Sequence, residues 1–202
     1  MTPAFEEARA AFPVLEEVAY FNAGTFGPLS RGTVGEMQEA IERDLQHGRC
    51  GASFFQSMFA LRQDVRGRLA GLVGAAADAI ALTTSTTDGC NIVLAGLGLD
   101  AGDEIVTTTD EHFGLLGALG VSAARVVVVE PDPDRILAAV TRRTRLLAVS
   151  QALWTTGAVL PVRELRERSG VPILVDGAQS AGAIPVDVAG LPAGRHERRV
   201  EL

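Results

Sequence analysis

The chain has 202 residues, 47% hydrophobic and 21% charged, which suits one globular α/β domain with a real core. A formal charge of -7 argues against a nucleic-acid partner, which asks for a basic face. No apolar run approaches the ~20 residues of a membrane span, Met1 to Arg9 carries no signal-peptide pattern, and two cysteines, Cys50 and Cys90, fit a reducing cytoplasm.

In chain order, Thr2 to Ala11 reads as a short helix closed by a turn at Pro13, and Ala19 to Ser30 (AYFNAGTFGPLS) as an irregular loop. Two helices follow, about Arg31 to His47 and Ser53 to Val73. Val34, Met37 and Ile41 mark an apolar stripe on the first, and Phe54, Met58, Leu61, Val65 and Leu69 one on the second. Beyond Gly74 the pattern changes to short apolar runs: Ala79–Thr83, Glu104–Thr108, Arg125–Val129, Leu146–Val149 and Val171–Val175. Runs this short, rich in β-branched residues and without polar alternation, predict parallel strands covered on both faces. Helices at Cys90–Leu97, Asp132–Thr141 and Pro161–Arg168 alternate with them, so the expected fold is α/β, a partial doubly wound and mostly parallel sheet. The last stretch, 189–202, is polar, holds Arg195, Arg198 and Arg199, and offers no further central strand.

In open α/β sheets ligands sit beyond the carboxyl ends of the strands. Unusual residues follow those ends here. Ser85-Thr86-Thr87-Asp88-Gly89 leads into a helix and reads either as an N-cap or as a phosphate seat built from hydroxyls and backbone N–H groups. Thr109-Asp110-Glu111-His112 reads as a capping turn, or as a histidine able to stack on a flat ring or move a proton. Trp154 reads as plain packing. Asp176, after Ile173-Leu174-Val175, is a carboxylate costly to bury without a partner, and a cationic ring nitrogen would supply one. No G-x-G-x-x-G follows the first strand, which argues against a nicotinamide-binding domain.

With these residues in place the sequence resembles the class V aminotransferase family of fold-type I enzymes dependent on pyridoxal 5'-phosphate (PLP), the group holding cysteine desulfurases, isopenicillin N epimerase-like proteins and kynureninases. The stretches that carry the likeness are YFNAGTFGPLS, LTTSTTDGCNIVLAGLGLDAGDEIVTTTDEH, LLAVSQALWTTGAVLPV and VPILVDGAQSAGAIPVDV, spanning most of Tyr20 to Val188. The resemblance implies that Thr86 and Thr87 cradle the cofactor phosphate and that His112 stacks on the pyridine face. It also implies that Asp176 pairs with the pyridinium nitrogen, Gln179 donates to the phenolic oxygen, and Asn22, Ala23 and Gly24 border the substrate. It further implies an amino acid as the small-molecule substrate and a homodimer. On this reading residues 1–30 are an N-terminal helix and substrate-bordering loop, 31–188 an incomplete PLP-binding major domain, and 189–202 an aberrant Arg-rich tail.

All 18 basic side chains are arginine; the 202 residues contain no lysine. The family forms its Schiff base through a lysine that follows the stretch matched by PVDV, and a guanidinium, always protonated, cannot replace that amine. The expectation is therefore a chain truncated before that lysine and inactive alone. The alternative is a non-catalytic protein that holds PLP or another phosphate noncovalently or complements a partner chain.

Overall fold

The computed structural model describes residues 3–189, and side chains from Phe5 onward. The Arg-rich tail, from 190, lies outside them. The chain divides into two units, with the boundary between Ala60 and Leu61.

The first unit is helical. Helices α1 (Pro3–Ala10) and α2 (Val14–Glu17) precede the expected loop. That loop is folded by Tyr20 Oη donating to the Phe26 carbonyl (2.7 Å) and Thr25 Oγ1 donating to Asn22 Oδ1 (2.8 Å). Helix α3 (Arg31–His47) starts where Ser30 caps it, its Oγ accepting from the Thr33 N–H at 3.0 Å. The apolar stripe of α3 is not buried: Met37 and Ile41 stay exposed. Helix α4 (Gly51–Val73) carries the chain across the boundary.

The second unit is a four-stranded parallel sheet in the order β2-β1-β3-β4, with β1 Glu104–Thr108, β2 Arg125–Val129, β3 Thr144–Ser150 and β4 Ile173–Asp176. Its helices are α5 (Thr86–Gly96), α6 (Phe113–Gly120), α7 (Pro133–Ala138) and α8 (Val162–Ser169). Side chains alternate across the sheet. Leu146 and Ala148 pack with Ile105, Cys90 and Leu115 under α5 and α6, while Leu147 and Val149 pack with Val106, Ile136 and Leu165 under α7 and α8. Each fully buried Leu, Ile or Val contributes roughly 1.5–3 kcal/mol, so these two layers hold the unit together. Gly170, at φ 65°, lets the chain leave α8 in the left-handed conformation that a side chain resists.

Two expectations are corrected. Ala79–Thr83 is not a strand: a single 3-10 turn covers Ala77–Ala79 and the following residues are irregular. The run has β-like sequence, but a strand forms only against a neighbour, and none of the described strands lies beside it. Helix α5 begins at Thr86, not near Cys90, because Ser85 Oγ accepts from the Asp88 N–H (3.1 Å) and caps the helix four residues early. Helix α6 has no counterpart in the sequence reading. Its residues, FGLLGALG, are apolar all round and show no amphipathic period.

From β1 the chain crosses by α6 to β2 on one side; from there α7 and α8 carry it to β3 and β4 on the other. Strand order therefore reverses between β1 and β3, which opens a crevice at their carboxyl ends.

Candidate functional site

Four segments meet at this carboxyl edge: the start of α5, the β1–α6 turn, the end of β3 and the end of β4. Asp176 closes β4 in register with Ser150 of β3 and is 4% exposed. It shares the face of Leu174, two residues back, which packs against α5 and α6. Its Oδ1 accepts from the Ala178 N–H at 3.0 Å, while Oδ2 has no donor among the described residues. The turn that follows is closed by Ser180 N–H donating to the Gly177 carbonyl (3.0 Å), and it holds Gln179 half-buried.

Thr86 and Thr87 open α5. Their N–H groups precede the first intrahelical bond and meet no acceptor among the described residues, leaving two donors at the positive end of the helix. Asp88 Oδ2 accepts from both the N–H and the hydroxyl of Thr84, each at 3.1 Å, which fixes the approach to the helix. His112 caps α6, its Nδ1 accepting from the Gly114 N–H at 3.1 Å. That bond requires an unprotonated Nδ1. Phe113 lies at 3.8 Å from the His112 ring, centroid to centroid, and Trp154 stands edge-on to it at 5.3 Å.

Gly114 shows how tightly α5 and α6 meet. A Cβ added there would lie 2.5 Å from Thr87 Oγ1 and 3.1 Å from His112 Nδ1. The absence of a side chain at Gly114 lets the Thr87 hydroxyl and the His112 ring approach the same point.

Glu111 is the site residue that sequence reasoning missed. It is buried, its Oε1 accepting from Thr108 Oγ1 (2.6 Å) and its Oε2 from both Ser150 N–H (2.8 Å) and Ser150 Oγ (2.6 Å). Burial pushes its carboxyl above the ordinary range; the Ser150 and Thr108 hydrogen bonds oppose this, and the Asp176 charge adds to it. Cys90, fully buried beneath the same face, is pushed up to about 11 by burial first and then by Asp176. Glu111, Asp176 and Cys90 thus act on one another electrostatically, and no arginine or histidine forms an ion pair with either acid among the described residues. Thr107 Oγ1, at the end of β1, is buried without a hydrogen-bond partner.

The structure therefore brings Thr87 and His112 together across Gly114, and places Asp176 and Gln179 on one turn beside Ser150. Thr86 is exposed at the start of α5. Asn22, Ala23 and Gly24 lie on the exposed loop of the first unit. The signal for Glu111 was present but faint: an acid between a buried strand and a capping histidine, with a serine closing the strand across the crevice.

Such a sheet, with helix-start donors and a buried acid at the carboxyl ends of its strands, defines an open parallel α/β protein of the kind whose ligands sit at that edge. The chain belongs to the aminotransferase class-V family, whose model matches residues 29–193. It is 33% identical over 202 residues to a probable cysteine desulfurase of Methanothermobacter thermautotrophicus, covering 93% of this chain and 50% of that protein. It is 30% identical over 206 residues to isopenicillin N epimerase of Streptomyces clavuligerus, covering 93% and 51% respectively. Among solved structures, a lysine-to-alanine mutant of C-DES with glycine covalently linked to its PLP cofactor superposes with a TM-score of 0.85 at 29% identity, covering 92% of this chain and 53% of that one. The Escherichia coli cysteine desulfurase CsdA gives 0.77 at 27% identity, covering 95% and 52%. The chain spans about half the length of the relatives it matches. No helix among the described residues is long and apolar enough to cross a membrane.

Proposed function

We propose that the second unit binds pyridoxal 5'-phosphate noncovalently, and that these 202 residues alone do not turn over an amino acid. The supporting observation is Asp176: a carboxylate 4% exposed at the end of β4, with one oxygen bonded to the Ala178 N–H and the other left without a donor among the described residues, so that it is able to accept from a ligand. A protonated pyridine nitrogen is such a donor. The other residues fit the same group. The Thr86 and Thr87 N–H groups would take the phosphate, the His112 ring would lie against the heterocycle, and the Gln179 amide would donate to its phenolic oxygen.

When bound, the cofactor supplies an electron-withdrawing ring able to stabilise negative charge at an amino acid's α-carbon. The chain's own part is to bind and orient. Asp176 would accept from the protonated ring nitrogen, and the two acids would repel an anion from that end of the site. No lysine side chain is among these residues to tether the cofactor and move the α-proton, so catalysis on an amino-acid substrate, as a transferase or lyase, would require groups from elsewhere. We further read 1–30 as the substrate-bordering segment, 31–188 as the cofactor-binding domain and 189–202 as the aberrant Arg-rich tail. We read the assembly as a homodimer and, from two free thiols, its compartment as the cytoplasm.

The test is titration of the 202-residue chain with PLP, following Trp154 emission and the cofactor's absorption. The expected result is saturable quenching that dialysis reverses, that borohydride traps on no side chain, and that Asp176→Asn weakens by about tenfold, the size of one lost charge-assisted hydrogen bond. Binding equally tight in the Asp176→Asn variant would refute the reading.

A further inference from the structure

We infer that Glu111 is a positioning residue: its carboxylate locks the β1–α6 turn to the end of β3 across the switch crevice and so fixes His112 relative to Asp176. The geometry forms a continuous chain. Oε1 is held by Thr108 of β1, and Oε2 by the N–H and hydroxyl of Ser150 in β3. Ser150 is paired in register with Asp176, and Gln151 N–H donates to the Asp176 carbonyl at 3.1 Å. On the other side, Glu111 is bonded directly to His112, the cap of α6, and α6 starts against Thr87 through Gly114.

No other side chain in the described crevice receives three hydrogen bonds from two different strands. The second link between this turn and the segment after β3, Thr155 Oγ1 to Asp110 Oδ2 at 3.3 Å, is exposed and long. Freed from Ser150, the turn would keep its local Thr108 bond but lose its registration against β3. His112 would then move away from its edge-on contact with Trp154, which sits in the hairpin joined by Leu160 N–H to the Gln151 carbonyl (2.8 Å). The tie itself needs no ligand. Only its effect on ligand affinity rests on the cofactor reading above.

The experiment uses the 202-residue chain as wild type, Glu111→Gln and Ser150→Ala. Glutamine keeps the size and the Thr108 acceptor but turns an amide toward the Ser150 donors. Without ligand, NMR cross-peaks between the His112 and Trp154 rings report the contact. With ligand, Trp154 emission reports binding of pyridoxamine 5'-phosphate, which lacks the aldehyde, and of inorganic phosphate. In Glu111→Gln the ring cross-peaks should fade and pyridoxamine 5'-phosphate should bind about tenfold more weakly. Phosphate, seated on the α5 N–H groups, should change by less than about twofold, a split that general loosening of the fold would not give. Ser150→Ala, which keeps one of the two β3 donors, should fall between at about threefold.

Unchanged ring cross-peaks in Glu111→Gln overturn the proposal, as does an equal loss of both ligands. Should Glu111→Gln not fold, Ser150→Ala decides by the same two signs. Should neither ligand perturb the wild type, the cofactor reading fails and the ligand-free cross-peaks alone decide for or against Glu111.

Discussion

Replacing Gly114 by alanine tests whether α5 and α6 meet as tightly as the structure shows. A methyl group there would stand 2.5 Å from Thr87 Oγ1, about an ångström inside contact distance. Alanine favours a helix over glycine by up to about 1 kcal/mol, while overpacking a tight site costs about 1–3 kcal/mol. The net effect in the wild-type background is therefore destabilisation of about 1 kcal/mol. Removing the obstructing hydroxyl with Thr87→Ala leaves only the His112 Nδ1 approach at 3.1 Å, which a small ring shift relieves. In that background Gly114→Ala should be neutral or stabilising, so the sign of its effect changes. Urea denaturation of the four proteins, followed by circular dichroism, gives a coupling energy expected at about 1–3 kcal/mol. A Gly114→Ala effect that is the same in both backgrounds would refute the packing of Thr87 on α6 and with it the shared position of Thr87 and His112.

Three further outcomes are expected. Glu104 and Glu111, at opposite ends of β1, should give opposite pH dependence of stability. Glu104 is held below its ordinary 4.5 by Thr141 first and then by Arg143 and Arg125, so its contribution is present above that value and lost as pH falls through its lowered folded pKa. Glu111 is raised, so stability falls as pH climbs from 4.5 through its folded pKa, by at most about 1.4 kcal/mol per pH unit for one proton. Denaturation curves across this range should lose that decline in Glu111→Gln and the acid-side loss in Glu104→Gln; like-signed changes in the two variants would contradict the assignment. Under native conditions a thiol reagent should modify exposed Cys50 quickly and Cys90 only on unfolding, since the latter is buried and pushed up to about 11; two equally fast thiols would be the opposite result. Leu165→Ala, which empties a fully buried position beneath α8, should cost about 2–5 kcal/mol in chemical denaturation, and a loss under about 1 kcal/mol would show that layer to be loosely packed.

What could be read from the sequence was what local chemistry decides. Short β-branched runs marked β1 to β4, a loop ending at Ser30 gave way to α3, Ser85 precedes α5, and Asp176 ends a strand. The failures share a non-local cause. Ala79–Thr83 looks like a strand, but a strand is a relation between two segments, and no described strand pairs with it. Met37 and Ile41 form a helical stripe that stays exposed, since periodicity shows a face and not its occupant. Glu111 escaped notice because the serine that gives it a role lies 39 positions away. Gly114 likewise gains meaning only from Thr87, on a helix that the sequence does not place against α6.

The two ends of β1 are electrostatically unlike. At its start Glu104 is paired with two arginines and accepts from a threonine; at its finish Glu111 feels the charge of Asp176, and no cation pairs with either acid among the described residues. The start of β1 thus carries matched charge, while its finish carries unmatched negative charge. An occupant carrying positive charge would act as a counterweight there, and its arrival should raise the melting temperature by binding the folded state alone.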